Sequence, residues 1–77
     1  MARWYMIDDA TTDRGQVFEI PLSADTQEEA VEAARNRFGA MSRRDRDHRD
    51  ACYVGRAELD ADGCVDYDTM TDIYTIK

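Results

Sequence analysis

Residues 16–41 read QVFEIPLSADTQEEAVEAARNRFGAM and place a strand pattern directly before a helix pattern. In residues 16–22 three apolar side chains occupy alternate positions, which predicts a β-strand. Pro21 lacks the N–H that a sheet ladder needs, so this strand either ends there or lies at an edge of its sheet.

The helix pattern begins just after this strand. Asp25 lies three residues before Glu28, which predicts an aspartate version of the capping box. The acidic residues that follow suit the positive end of the helix dipole. Apolar residues then recur at helical spacing and predict a buried stripe of Ala30, Val31, Ala34, Phe38 and Met41.

On the N-terminal side of this unit, residues 3–7 predict a first strand. Residues 8–15 are rich in Asp and Thr and end in Gly15, which can adopt a positive φ, so they predict a turn. The two strands and the turn together precede the helix.

On the C-terminal side, Ser42 is suited to cap a second, short helix over residues 43–50. Oppositely charged side chains four residues apart support it, namely Arg43 with Asp47, Asp45 with Arg49, and Arg46 with Asp50. This segment has almost no apolar side chain, so we expect it to be solvated.

The last third predicts a β-hairpin, with one strand over residues 51–60 and its partner from Cys64 onward. A three-residue loop ending in a left-handed Gly63 is a common hairpin connection. This register pairs Asp60 with Cys64, Leu59 with Val65, and Ala57 with Tyr67, so that the apolar residues share an inner face. We expect the return strand to break near residues 68–69 and resume over 72–76. The fold class that follows is α+β, a single domain over residues 1–77 with ββαββ order and the main helix on one face of an antiparallel sheet.

Charge is unevenly distributed along the chain, whose formal net charge is −7. Residues 1–34 hold eight acids and two arginines, residues 35–56 three acids and seven arginines, and residues 57–77 six acids and one lysine. Such a balance disfavours direct binding to nucleic acid or to an anionic membrane, because phosphates repel it. The net negative charge favours a basic partner, and the alternative is that it only keeps the protein soluble.

The hairpin register predicts a concentration of carboxylates on its outward face. Glu58 lies opposite Asp66, and Arg56 opposite Asp68 offsets only part of the repulsion. Carboxylates at alternate strand positions repeat about every 6.6 Å, so they can imitate a row of phosphates and occupy a basic groove. The candidate partner-binding residues are Glu58, Asp60, Asp62, Asp66, Asp68 and Asp72. The alternative is a solvated face with an acidic bias.

No motif predicts catalysis, a cofactor or a metal. Asp60–Asp66 superficially has the acidic spacing of a calcium loop, but Gly63 stands fourth where the EF-hand needs Gly sixth. The sequence around His48 offers neither an orienting partner nor a nucleophile with which the histidine could act as a general base. Cys52 and Cys64, about 20 Å apart along the hairpin, are expected to be free thiols. We therefore expect a protein that is not an enzyme.

The arginine-rich segment allows two interpretations. One role that fits this segment is contact with phosphate through its arginines, Arg43, Arg44, Arg46 and Arg49. Because three aspartates lie among these arginines, a salt-bridge patch for an acidic protein partner fits better.

The chain has no long apolar run that predicts a transmembrane or signal segment, so we expect a cytoplasmic protein.

In the segments Arg49–Gly55 and Asp60–Thr69, the chain resembles small acidic orphan proteins of phages and other mobile elements. In size and charge it is similar to anti-CRISPR proteins, several of which imitate DNA. The resemblance implies an inhibitor, monomeric or homodimeric, that binds the basic surface of a nucleic-acid-handling protein. The rival interpretation is a generic protein–protein adaptor or accessory subunit, homodimeric through an exposed edge strand.

Overall fold

Four strands form one antiparallel sheet in the computed structural model, which describes residues 1–77. The elements, in chain order, are β1 Arg3–Ala10, α1 Thr11–Arg14, β2 Gln16–Leu22, α2 Gln27–Ala40, α3 Arg43–Asp47, β3 Ala51–Leu59 and β4 Val65–Thr75. The strand order in the sheet is β2-β1-β3-β4. This arrangement confirms the predicted α+β class and the ββαββ order, and β2, which contains Pro21, is an edge strand.

The central strand β1 is longer than predicted. It continues through Asp8, Asp9 and Ala10, because all three pair with β2, and Asp8 and Asp9 also pair with β3. Only a helical turn, α1, then remains before Gly15, whose φ of 73° is the predicted left-handed conformation. Asp8 consequently lies inside the sheet, where its side chain is buried.

The main helix begins one residue later than the sequence pattern indicated. Thr26, not Asp25, is the N-cap residue: its Oγ1 accepts a hydrogen bond from the backbone N–H of Glu29 and also contacts the Glu29 carboxylate. This is the N-cap half of a capping box, shifted by one position, because the Glu29 carboxylate accepts from the Thr26 hydroxyl and not from the Thr26 backbone N–H. Ala30, Val31 and Ala34 are buried as predicted, whereas Phe38 and Met41 are only partly buried.

The second helix forms over a shorter range than expected, Arg43–Asp47, and Ser42 caps it through the N–H of Asp45. Of the three predicted ion pairs, only Arg43–Asp47 is present, at 3.8 Å. Arg46 instead donates to the carbonyl oxygens of Gly39 and Met41. Arg49 pairs with Asp8, because the chain leaves the helix after Asp47 and turns back towards the sheet.

The hairpin keeps the predicted register only near its loop. Leu59 pairs with Val65 and Glu58 with Asp66, and Gly63 has the predicted positive φ. The predicted pairs of Ala57 with Tyr67 and of Arg56 with Asp68 are wrong, since Arg56 lies opposite Thr71. Extra residues in β4 form a bulge between these points, and a second irregularity follows at Asp72, which has a φ of 53°.

Each face of the sheet carries its own apolar cluster. Helix α2 covers the face that holds Trp4, Met6 and Val54. The opposite face buries a second cluster, which consists of Tyr5, Ile7, Ala57 and Val65. The predicted inner face of the hairpin is therefore half correct: Ala57 and Val65 are buried, but away from the helix, whereas Leu59 and Tyr67 are exposed.

The β4 bulge covers part of this second face. Met70 packs against the cluster and lies directly over Gly55, where an added Cβ would stand 2.5 Å from the Met70 sulfur. A Cβ at position 55 would overlap the Met70 side chain, so a larger residue there requires that side chain to shift. No helix of the structure is long and apolar enough to cross a membrane.

Candidate acidic interface

The structure brings five of the six predicted carboxylates together around the β3–β4 hairpin. Glu58 and Asp66 face each other across the two strands, Asp60 and Asp62 belong to the loop, and Asp68 lies in the bulge. Asp72 lies apart from them, on the second irregularity of β4, where its carbonyl oxygen accepts a hydrogen bond from Gln27 Nε2 at the start of α2.

Two of these carboxylates also shape the backbone that carries them. Asp60 Oδ1 accepts hydrogen bonds from the N–H groups of Asp62 and Cys64, at 2.8 and 3.0 Å, and so closes the loop. Asp66 Oδ1 accepts from the N–H of Asp68 at 3.0 Å. Short acidic side chains commonly stabilise turns in this way. Asn would preserve these bonds without the charge, because its side-chain oxygen is also an acceptor.

Cations do not neutralise this cluster. The only ion pair within it joins Glu58 to the N-terminal amino group at 3.2 Å, and both groups are solvent-exposed. No arginine or lysine lies within 4.0 Å of the carboxylates of Asp60, Asp62, Asp66 or Asp68. The negative charges of the loop and bulge are therefore free to act on a partner.

The spacing of the carboxylates differs from the regular row that the sequence suggested. Thr69 Oγ1 accepts the N–H of Glu58 and donates to the carbonyl of Asp66, so the bulge replaces ladder bonds with side-chain bonds. Beyond Asp66 the alternation of about 6.6 Å is lost, because the bulged strand bends. The acidic residues of the hairpin therefore do not form a straight row.

Sequence reasoning missed one member of this surface, Glu19 of β2. Its carboxylate accepts a hydrogen bond from the Tyr67 hydroxyl at 2.6 Å and another from the N–H of Val65 at 3.2 Å. Strands β2 and β4 are the two edges of the sheet, so these bonds show that the hairpin curls across the face opposite α2. Burial and the bond to Glu19 raise the pKa of Tyr67 above its ordinary value.

The N-terminal half of α2 adds further carboxylates to the same end of the molecule. Leu22, which precedes the helix, pairs with Trp4, and Trp4 pairs with Arg56 near the end of β3. Asp25, Glu29 and Arg56 consequently line a common groove. We define the acidic end as residues 1–5, 22–32 and 56–72 together with the carboxylate of Glu19.

The net negative charge of the chain is concentrated there. The acidic end holds eleven carboxylates and two arginines, a formal side-chain charge of −9. The rest of the chain holds six carboxylates, seven arginines and one lysine, a charge of +2, which brings the total to −7. The sequence showed three charge segments, but only the topology reveals that the first and last acidic segments share one end.

The arginine-rich segment lies at the opposite end. Helix α3 precedes Ala51, and the hairpin loop follows Leu59, so the length of β3 separates them by about 26 Å at about 3.3 Å per residue. Lys77 holds α3 there by donating to the carbonyl oxygens of Arg46, Asp47 and Arg49. A separation of this size greatly exceeds the screening length of about 8 Å at physiological salt.

The remaining reactive side chains are placed as follows. Cys52 is buried and Cys64 is exposed, and both are free thiols. His48 is half-exposed, with Nδ1 3.1 Å from Asp13, and this bond lowers the pKa of the Asp13 carboxyl. No group of three or more His, Cys, Asp or Glu side chains is arranged to hold a metal ion.

Comparison of the chain with protein-family models, with curated proteins and with solved structures gave no match.

Proposed function

We propose that this chain is a non-catalytic inhibitor whose acidic end occupies a basic, nucleic-acid-binding surface of a bacterial protein. The observation that carries the proposal is the charge of −9 at one end, combined with the lack of ion-pair partners for the loop and bulge aspartates. The proposed contact residues are Glu58, Asp60, Asp62, Asp66 and Asp68, with Asp72 apart from them at the same end.

A polarised surface of this kind suits electrostatic capture of a partner. Arg and Lys side chains that receive phosphates accept carboxylates with similar charge-assisted hydrogen bonds. Because the arginine-rich segment is about 26 Å away, a basic groove would meet the acidic end first. The proposed setting is the bacterial cytoplasm, where such nucleic-acid-handling proteins work. No direct contact between this chain and nucleic acid is proposed.

The test compares two variants with equal charge change. Asp62→Asn combined with Asp68→Asn removes two charges from the acidic end, at side chains that accept no backbone hydrogen bond. Asp45→Asn combined with Asp47→Asn removes two charges at the far end. Each protein is immobilised and used to capture partners from bacterial lysate at about 50 mM and about 500 mM salt, and a DNA duplex is added as competitor.

The proposal expects capture of a nucleic-acid-binding protein at low salt, its loss at high salt, and its release by the duplex. The acidic-end variant should capture markedly less, and the far-end variant about as much as the wild type. The proposal is wrong if both variants behave alike, if salt has no effect, or if the duplex fails to displace the captured protein.

A second candidate, a protein–protein adaptor, is favoured by exposed apolar side chains on the face opposite α2. Leu59, Tyr67 and Ile73 are 51%, 45% and 56% exposed, and Val17 adds to them. The predicted edge-to-edge homodimer is less favoured, since Pro21 interrupts one edge and bulges interrupt the other.

Salt separates a homodimer from the proposed inhibitor. Two copies that meet through this face each carry a net charge of −7, so their association should strengthen as salt screens the repulsion. Binding to a basic partner should weaken instead. Sedimentation of the isolated chain at both salt concentrations measures the first effect, and the capture experiment measures the second.

A further inference from the structure

A cavity of about 260 Å³ lies between the C-terminal half of α2 and strands β1 and β2, far from the acidic hairpin. Its apolar walls include Phe18, Ile20 and Met41. Its polar lining is the pair Asp8 and Arg49 together with Arg37. The volume is below the range of about 300–1,000 Å³ that is typical of drug-sized ligands, so only a small molecule fits.

Arg49 is the unusual member of this lining. Its side chain is only 8% exposed, and its Nε donates to Asp8 Oδ1 at 2.9 Å. Its Nη1 is buried and donates to nothing, and it is the only buried side-chain polar atom in the structure without a partner. A buried donor on a charged group is costly when it is left unsatisfied, so such an atom calls for an explanation.

The charge of the cavity indicates the class of ligand that it favours. Asp8 balances Arg49, whereas Arg37 has no ion-pair partner, so the lining carries a net charge of +1. The lining charge is therefore opposite in sign to the net charge of the whole chain, which is −7. A guanidinium presents its donors as a fork that matches a carboxylate, and a second nearby arginine strengthens the preference for an anion.

We infer that this cavity binds a small organic carboxylate with an apolar body, of about the size of benzoate. The carboxylate accepts hydrogen bonds from Arg37 and from the guanidinium of Arg49, and the apolar body lies against Phe18, Ile20 and Met41. The inference does not depend on the proposed inhibitor function, because the cavity and the acidic hairpin share no residue.

The test titrates benzoate into the full-length chain and follows the backbone and arginine side-chain NMR signals. Benzamide, which has the same shape without the charge, and benzylamine, which has the opposite charge, are the comparison ligands. Benzoate should produce saturable shifts at Phe18, Ile20 and Arg49, and it should bind at least about tenfold more tightly than benzamide, since its hydrogen bonds are charge-assisted. Benzylamine should not saturate.

Two variants with the same charge change localise the site. Arg37→Gln removes the unpaired cation of the cavity and should weaken benzoate binding at least about fivefold, a loss that fits one charge-assisted hydrogen bond. Arg44→Gln removes an exposed arginine of α3 and should leave the affinity within about twofold. Arg37 is itself exposed, so the first variant should remain folded.

Arg49→Lys gives an independent readout, because lysine keeps the charge but lacks the fork. It should lower the preference for benzoate over benzamide. The inference is overturned if benzamide or benzylamine binds as well as benzoate, if Arg37→Gln and Arg44→Gln have equal effects, or if the shifts fall on the hairpin.

Discussion

Cys52 and Cys64 differ in burial, and we expect them to differ in reactivity by orders of magnitude. Cys52 is fully buried on β3, and desolvation, with a smaller effect of Asp8, raises the pKa of its thiol to about 11. At pH 8 about one Cys52 thiol in a thousand is then ionised, and the thiolate is the reactive form. Cys64 is exposed in the hairpin loop.

A disulfide reagent added to the native protein at pH 8 should therefore modify one thiol promptly and the other only after unfolding in denaturant. Cys64→Ser should remove the fast phase, and Cys52→Ser should leave it unchanged. Two fast phases of equal size would show that the core around β3 opens far more readily than its burial implies.

Thr26 and Asp25 are adjacent exposed residues, and only one of them caps α2. Thr26→Ala removes the acceptor for the Glu29 N–H and should lower the free energy of unfolding by about 1 kcal/mol. Asp25→Ala should change it by less than about 0.5 kcal/mol, since Asp25 makes no hydrogen bond or ion pair. Urea unfolding measures both, and a larger loss for Asp25→Ala would restore the capping box predicted from sequence.

At the scale of elements, the β4 bulge and β3 depend on each other through Gly55 and Met70. A Cβ at position 55 would lie 2.5 Å from the Met70 sulfur and 2.6 Å from its Cγ, so Gly55→Ala must push the Met70 side chain off the second cluster. We expect a loss of about 1–3 kcal/mol in the free energy of unfolding, as for other overpacked sites.

A double-mutant cycle identifies the cause of that loss. Met70→Ala alone leaves Tyr5 and Ile7 less covered and should cost about 2 kcal/mol or more. In the Gly55→Ala background the same change should cost at least about 1 kcal/mol less, because the overlap is relieved. Additive effects would mean that Met70 does not lie over Gly55 in solution.

Local patterns predicted the elements well, because the signals of strands and helices are local. The bounds of β2, the start of β3 and the left-handed Gly15 and Gly63 all followed from alternation and turn chemistry. The register of β4 beyond Asp66 could not be predicted from these local patterns, because it depends on the contacts that Met70 and Thr69 make with β3. Such a bulge is stabilised by tertiary contacts, which neither alternation nor propensity encodes.

The candidate site was predictable in its residues but not in its arrangement. The six carboxylates were visible as charges in the sequence, whereas the contribution of Glu19 requires the hairpin to curl across the sheet. The cavity at Arg49 was hidden for a similar reason: helical spacing predicted a surface pair with Asp45, but a buried partner, Asp8, lies 41 residues away. Contacts between distant segments are fixed by topology, not by spacing.

At the scale of the whole molecule, the Asp8–Arg49 pair fastens the segment that follows α3 to the central strand. Both side chains are over nine-tenths buried, and removal of one member leaves the other charge unpaired in the interior. Asp8→Asn, which keeps the shape, should lower the free energy of unfolding by about 3–5 kcal/mol. Since small domains have only about 5–15 kcal/mol, this variant should be close to unfolding.

Two comparisons show whether the buried charge is responsible. Asp47→Asn breaks the exposed pair with Arg43, at 3.8 Å, and should change stability by less than about 0.5 kcal/mol. Asp8→Leu combined with Arg49→Met replaces both charges with apolar side chains and should recover most of the loss, because no unpaired charge remains. If Asp8→Asn were no more harmful than Asp47→Asn in urea unfolding, the ion pair would not hold α3 in place. The three bonds from Lys77 to the carbonyl oxygens of residues 46, 47 and 49 would then do so, together with the bonds of Asp50 to Asp9 and Thr12.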